Sequence, residues 1–312
     1  MASTNLELII KARDEASKTL GNVSKKAGGL ANIAGKALRA GALAGGVAIA
    51  GLGIAAVKMG LDFEKSMAEV KTLLPDLNDE GFAKLQTGVL DLSKELGIAT
   101  NDAVPALYQA ISAGVPPDNV MDFMRIAGKA AIGGVTDLET AVDGISSVIN
   151  TYGAEAITAG EASDIMFTAV KLGKTNFEEL SSSLFNVLPT ASSLGISFEE
   201  VSAAIATMTA QGVPTSVATT KIRMAMVEAS KSGSKLDLAL RDLRGKGLIG
   251  LIESGEDFSH VMQDMRERMP DQEFRDLFGS TEALDAALAI TGDQAGAMKD
   301  ALGEMRDSAG AS

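Results

Sequence analysis

The chain has 312 residues, 46% apolar and 22% charged, with a net charge of −13, so it can bury a core and is not disordered throughout. It has no Cys, no Trp and a single His, which excludes disulfides, thiolate nucleophiles, zinc–thiolate sites and paired-His metal motifs. With 33 Gly against 10 Phe and 2 Tyr, it must rely on close helix–helix contact and assembly rather than on a thick aromatic core.

Charge divides the chain. Residues 1–60 carry eight Lys or Arg and three Asp or Glu, a net of +5, whereas the other 252 residues net −18. Residues 1–38 read as a basic amphipathic helical arm suited to an anionic surface. The acidic remainder argues against a nucleic-acid site, which needs clustered Lys and Arg.

Residues 39–58 follow as a Gly/Ala-rich apolar helix. The run "AGALAGGVAIAGLGIAAV" at 40–57 has no charge, hydroxyl or amide. As a helix it spans about 27 Å, just short of a hydrocarbon core. Only Leu43, Val47, Ile49, Leu52, Ile54 and Val57 are large, which leaves insertion marginal. Gly41 with Gly45, and Ala42 with Gly46 and Ala50, make rows of small residues on which like helices pack backbone to backbone. The segment therefore reads as a conditional transmembrane helix and self-association surface, carried by Gly41, Ala42, Leu43, Gly45, Gly46, Val47, Ala50, Leu52 and Ile54.

From residue 59 to about 250 the pattern is helical, and no stretch sustains the alternation of a strand. Four apolar stripes recur: Phe63, Met67, Val70, Leu74; Leu85, Val89, Leu92, Leu96; Leu138, Val142, Ile145, Ile149; and Leu180, Leu184, Val187, Ala191. Capping boxes are expected at Thr136 with Glu139, Thr175 with Glu178 and Ser197 with Glu200. Gly97, Gly114, Gly153, Gly173, Gly195, Gly212 and Gly233 stand where stripes end.

Within this core, "LGIATNDAVPALYQAISAGVP" at 96–116 echoes "LGISFEEVSAAIATMTAQGVP" at 194–214 with an offset of 98 residues. Asp102 then matches Glu200, Leu107 matches Ile205, and Met124, Ala127 and Ala131 match Ile222, Ala225 and Ala229. The expectation is an all-α fold of helical hairpins, with a helix–turn–helix unit duplicated over 96–131 and 194–229. Residues 251–312 read as short helices around Pro270, with a polar end that suggests a truncated carboxyl terminus.

Chemistry is scarce. The "GKT" at 173–175 lacks the upstream Gly of a phosphate loop, having Thr168 there. His260 sits on a Met-rich helical stripe with no nucleophile elbow about any Ser. The pairs Glu178–Glu179 and Glu199–Glu200 lie in first helical turns, where carboxylates offset the helix dipole. No catalytic, metal or cofactor site is expected, and the protein reads as a non-enzyme.

The sequences "KMGLDFEKSMAEVKTLL", "LSKELGIATNDAVPALYQAISAGV" and "ASSLGISFEEVSAAIATMTAQGVPTSVATTKIRMAM", in this order after a Gly/Ala-rich segment, resemble the core region of phage tail tape measure proteins. The likeness covers roughly residues 55–250, and "LELIIKARDEASKTLGNV" is similar to the start of such chains. It implies a structural protein held in the virion tail lumen in several copies, three or six suiting the tube's symmetry. Such a protein templates tail tube length during assembly in the host cytoplasm and assists genome ejection. Its implied partners are the tail tube protein, tail assembly chaperones, distal tail or baseplate hub proteins and, on ejection, the host inner membrane. Members are usually longer, which suggests an amino-terminal portion. Two alternatives stand beside this reading: a membrane-active helical pore or toxin subunit, and a tail-associated murein hydrolase.

Overall fold

In the computed structural model, described for residues 48–312 with side chains from Met59 onward, the chain divides at Thr72/Leu73 into two compact units. The described part of the first unit is one helix, α1 (Ala48–Thr72), on which Phe63, Met67 and Val70 are buried. The expected transmembrane helix is not found among the described residues: none of their helices is long and apolar enough to cross a membrane. The physical reason in α1 is its continuation through Lys58, Asp62, Glu64 and Lys65. Most of the 40–57 run lies outside the described residues.

The second unit holds α2 (Asp79–Leu96), α3 (Thr100–Ser112), α4 (Val120–Gly133), α5 (Leu138–Tyr152), α6 (Ala159–Leu172), α7 (Phe177–Leu184), α8 (Leu188–Ser193) and α9 (Phe198–Ala210). It continues with α10 (Thr215–Ser230), α11 (Lys235–Arg244), α12 (Leu248–Ile252), α13 (Phe258–Arg268), α14 (Asp271–Asp276), α15 (Thr281–Ile290) and α16 (Ala295–Arg306). No strand occurs among the described residues, so the fold is all-α as expected.

Two helices organise the packing. α5 lies against α3, α4 and α7, while α9 is flanked by α6, α8, α10, α15 and α16. A helix apolar all round belongs inside a core, and α9 is buried from Glu200 to Thr209. Its small residues let neighbours close in. At Gly173, where α6 ends, a Cβ would collide with Thr209 Oγ1 and the backbone of Ala206, so this glycine is required by close approach. Its φ is −95°, whereas Gly97, Gly114, Gly153, Gly195, Gly212 and Gly233 have φ of 70–93°.

The two repeats share their local geometry. Gly97 and Gly195 have φ of 70° and 74°, and Gly114 and Gly212 have 92° and 90°. Each first helix closes alike: Val115 N–H donates to Ala110 O at 3.0 Å, and Val213 N–H to Met208 O at 3.2 Å. Leu107 and Ile205, Met124 and Ile222, Ala127 and Ala225, and Ala131 and Ala229 are all buried. The second helices differ at their start. Pro116–Asn119 form a turn that delays α4, whereas α10 begins directly after Pro214.

Several local expectations need correction. The fourth stripe is one continuous surface but two helices, because Pro189 lacks the N–H that would continue α7; Leu180, Leu184, Val187 and Ala191 remain buried. The cap of α5 is Asp137, not Thr136: Asp137 accepts from Thr140 N–H at 2.7 Å, while Thr136 N–H closes α4 by donating to Ala131 O. The cap of α7 is Asn176, not Thr175, whose hydroxyl instead meets Thr215 Oγ1 at 2.7 Å. Asp and Asn outrank Thr as caps. Ser197 does cap α9, but Glu200 does not reach back to it. The true capping box is Thr158 with Glu161, on α6.

The last third covers the rest. α15 packs on α10 and α16 on α9. Beyond α16, the N–H groups of Gly310 and Ser312 each donate to Asp164 at 2.7 Å, tying the final residues to α6.

Val135, between α4 and α5, is the only described non-glycine residue with positive φ, 53°, and it is 90% exposed. A β-branched side chain is disfavoured there and makes no compensating burial. Val135→Gly is expected to stabilise by about 1 kcal/mol, raising the melting midpoint by roughly 2–4 °C in a thermal scan. Gly173→Ala is expected to destabilise by about 1–3 kcal/mol, measured by urea denaturation, because the α6–α9 contact has no room for a methyl group.

Candidate functional site

The first turns of α3, α5 and α7 border one open cleft of about 580 Å³. Its lining includes Asp102, Gln109, Asp137, Glu139, Asp143 and Glu178, and no Lys or Arg. All of these acids but Asp143, which is in the second turn of α5, are there for a local reason. Each helix start presents unpaired N–H groups and about half a positive charge, which nearby carboxylates offset. Asp137 is the clearest case: the Thr140 N–H it accepts holds its carboxyl below the usual range, with slight burial opposing. Gln109 Nε2 donates to Asp143 Oδ1 at 3.4 Å. The cleft has no aromatic lining residue to seat a sugar ring. Among the described residues no group of three or more His, Asp or Glu could hold a metal ion.

The same corner of the second repeat is closed. Glu200, the counterpart of exposed Asp102, is 3% exposed, and its Oε1 accepts from Ser259 N–H at 2.7 Å and Ser259 Oγ–H at 2.9 Å. The N-cap of α13, Asp257, makes no side-chain cap of its own. Glu200 therefore caps α13 from another helix, satisfying an orphan N–H at its first turn. Burial pushes the Glu200 carboxyl up, aided by neighbouring Asp257, while the N–H groups of Ser259 and Phe258 oppose it. Beside it, Tyr152 O–H donates to Ile196 O at 3.1 Å, and its phenol is pushed up first by burial, then by Glu199 and Glu200.

A third polar cluster joins α11 to α13. Arg244 reaches Glu256 and Asp264 at 2.6 Å each, and Arg268 adds a second contact to Asp264 at 2.7 Å. Burial opposes, but the two arginines hold the Asp264 carboxyl below the usual range.

The residues singled out from sequence fare differently. Gly41, Ala42, Leu43, Gly45, Gly46 and Val47 lie outside the described residues. Ala50, Leu52 and Ile54 fall on the described backbone of α1, with side chains outside the description. His260 is an exposed residue of α13 with its Nδ1 3.4 Å from Glu256. The "GKT" is a helix end packed on α9, not a phosphate cradle. Glu178 and Glu179 start α7, and Glu199 and Glu200 start α9. Sequence reasoning missed the cross-helix role of Glu200. The available signal was its setting in a helix with no polar face, where a carboxylate needs donors from elsewhere.

Similarity to known proteins adds a separate line. The profile of phage-related minor tail proteins matches residues 86–303. A probable tape measure protein of Clostridium phage phiCD119 is 32% identical over 93% of this chain and 34% of its own length. The tape measure protein of Pneumococcus phage Dp-1 is 25% identical over 62% of this chain and 17% of its own. The chain thus spans about a third of the first relative and about a sixth of the second. No solved structure matches it.

Glu200 makes a prediction with a definite sign. Its folded pKa is raised, so proton binding favours the folded state, and that contribution is lost as pH rises through the folded value. Glu200→Gln keeps an acceptor for Ser259 and removes the charge. Expected is a melting-midpoint difference, variant minus wild type, that is positive near pH 7 and shrinks as pH falls toward 4.5. The depressed acids Asp137, Glu161, Asp164, Asp237, Asp264 and Asp271 are common to both proteins and cancel.

Proposed function

The chain belongs to the phage-related minor tail protein family, and we propose that it acts as a structural tape measure protein that templates tail tube length and assists genome ejection. The observation that carries this reading is the similarity to a probable tape measure protein along 93% of the chain. The family match extends across both repeats and most of the elements that cover them. The chemistry of the cleft agrees with a structural role: four of its five carboxylates, Asp102, Asp137, Glu139 and Glu178, are accounted for by the helix starts they neutralise, and the fifth, Asp143, accepts from Gln109.

In this reading several copies lie in the tail lumen, with the tube protein polymerising around them and assembly chaperones and distal hub proteins as further partners. The basic arm at 1–38 contacts anionic lipid after release, while the acidic body stays in water.

The test is genetic and geometric. As one continuous helix the whole chain reaches at most about 470 Å, and one repeat offset of 98 residues about 150 Å. An in-frame deletion of residues 98–195 from the phage gene is expected to shorten tails, measured by electron microscopy, by up to about 150 Å. Tails of unchanged length on viable particles would remove this region from the ruler. Flotation of the full chain with phosphatidylglycerol vesicles at low salt, lost on replacing the Lys and Arg of 1–38, tests the lipid contact.

A further inference from the structure

The duplicated unit supplies its own control for a surface on α10. With the offset of 98 residues, Asn119 at the N-cap of α4 and Asp122, Ile126 and Lys129 on α4 correspond to Val217, Thr220, Met224 and Val227 on α10. These positions recur at i, i+3, i+7 and i+10, one face of a helix. In the first repeat three of the four are polar and exposed, Asn119, Asp122 and Lys129, with only Ile126 apolar and half-buried. On α10 that face is apolar, yet Val217 and Val227 are still 40% and 39% exposed, with Thr220 and Met224 half-buried between them.

A charge has lost its partners on the same face. Arg125 on α4 is held by Glu95 at 3.2 Å and Asp122 at 2.7 Å. Its counterpart on α10 is Arg223, where the two acids are replaced by Ser193 and Thr220. Among the described ion pairs Arg223 has none, and Lys231, which extends the stripe, has none either. The opposite flank is already satisfied: Lys221 pairs with Asp285 at 2.7 Å, and Glu228 accepts from Gly279 N–H at 2.9 Å.

We propose that the Val217–Val227 stripe of α10, with Arg223 and Lys231, is a docking surface for an acidic amphipathic helix of a partner protein. The occupant follows from charge complementarity. Two free cations beside an apolar stripe suit a helix with apolar residues at i, i+3 or i+4 and i+7, flanked by Asp or Glu. A second copy docking through the same stripe fits less well. An antiparallel pairing sets like flanks together and brings Arg223 toward Arg223 of the other copy, and a parallel one turns it to the flank where Lys221 and Glu228 are already engaged with Asp285 and Gly279 N–H. This surface is independent of the ruler reading and of the 40–57 run.

The probe is a synthetic 18-residue helix with Leu at i, i+4, i+7 and i+11 and Glu on both flanks, titrated by fluorescence anisotropy with the full chain. A matched peptide carries Lys in place of Glu. The body's overall acidity favours the Lys peptide, so a preference for Glu isolates the local surface. Expected is binding of the Glu peptide at least about tenfold tighter than the Lys peptide. Val217→Asn with Val227→Lys, the residues of the first repeat, is expected to weaken it about tenfold or more at an unchanged melting midpoint. Arg223→Glu is expected to reverse the order of the two peptides. Equal binding of both peptides, equal binding to the double variant, or no binding up to about 1 mM overturns the proposal. Sedimentation showing self-association that the double variant abolishes overturns it in favour of a second copy. Stripe-dependent flotation on phosphatidylglycerol vesicles overturns it in favour of lipid.

Discussion

How near other backbones come to α9 decides the architecture of the body. A helix made largely of Ala, Ser and Thr buries little area per residue. It forms a core only if its neighbours approach until backbone nearly meets backbone. Gly173 at the end of α6 marks that limit, with Thr209 and Ala206 occupying the space of a missing methyl group. The same device recurs at Gly144 of α5, where Ser181 of α7 fills the corresponding space. Of the four fully buried phenylalanines among the described residues, Phe177, Phe198 and Phe258 are each the first residue of a helix, and Phe274 lies within α14. Thr207 and Thr209 can enter so apolar a site because each hydroxyl donates to a carbonyl one turn back, Ala203 O and Ala206 O.

Around that arrangement two copies of one unit have taken different surroundings. The first copy meets water at the start of α3, where Asp102 stands open in the cleft. In the second, α13 has moved onto the equivalent acid and turned it into a cap. Arg125 is enclosed by two carboxylates and Arg223 by none. Similar backbone hinges thus hold two different surfaces, and the difference lies in what the later helices cover. Arg244, bridging Glu256 and Asp264, fixes α11 to α13 within that cover.

Much of the helical content was legible because periodicity depends on which side faces inward, and inwardness is set locally. The stripes Leu85–Val89–Leu92 and Leu138–Val142–Ile145 are buried as their spacing requires. Boundaries were less legible because capping is a competition among adjacent polar residues. Thr136 lost to Asp137 since its own N–H was already committed to closing α4. Thr175 was drawn to Thr215, 40 positions away, which no local pattern encodes. Pro189 was visible in the sequence, but the apolar spacing across it is the same for one helix as for two. The partners of Glu200 and Asp164 come from 59 and about 146 residues away, so only the fold reveals them. The small-residue rows at 41–50 are a different matter, for they lie almost wholly outside the described residues.

The reversals at left-handed glycines have a mechanical side. Gly97, Gly114, Gly195 and Gly212 fold the two repeats back on themselves, and no covalent crosslink fastens any fold, since the chain has no cysteine. Tension applied at the ends would break only side-chain packing and hydrogen bonds, helix by helix. Each residue released into extended chain spans about 3.4 Å of contour, so the 98 residues from the start of one repeat to the start of the next hold roughly 330 Å of contour. The body is a line wound on a spool, and nothing but weak contacts keeps it from paying out.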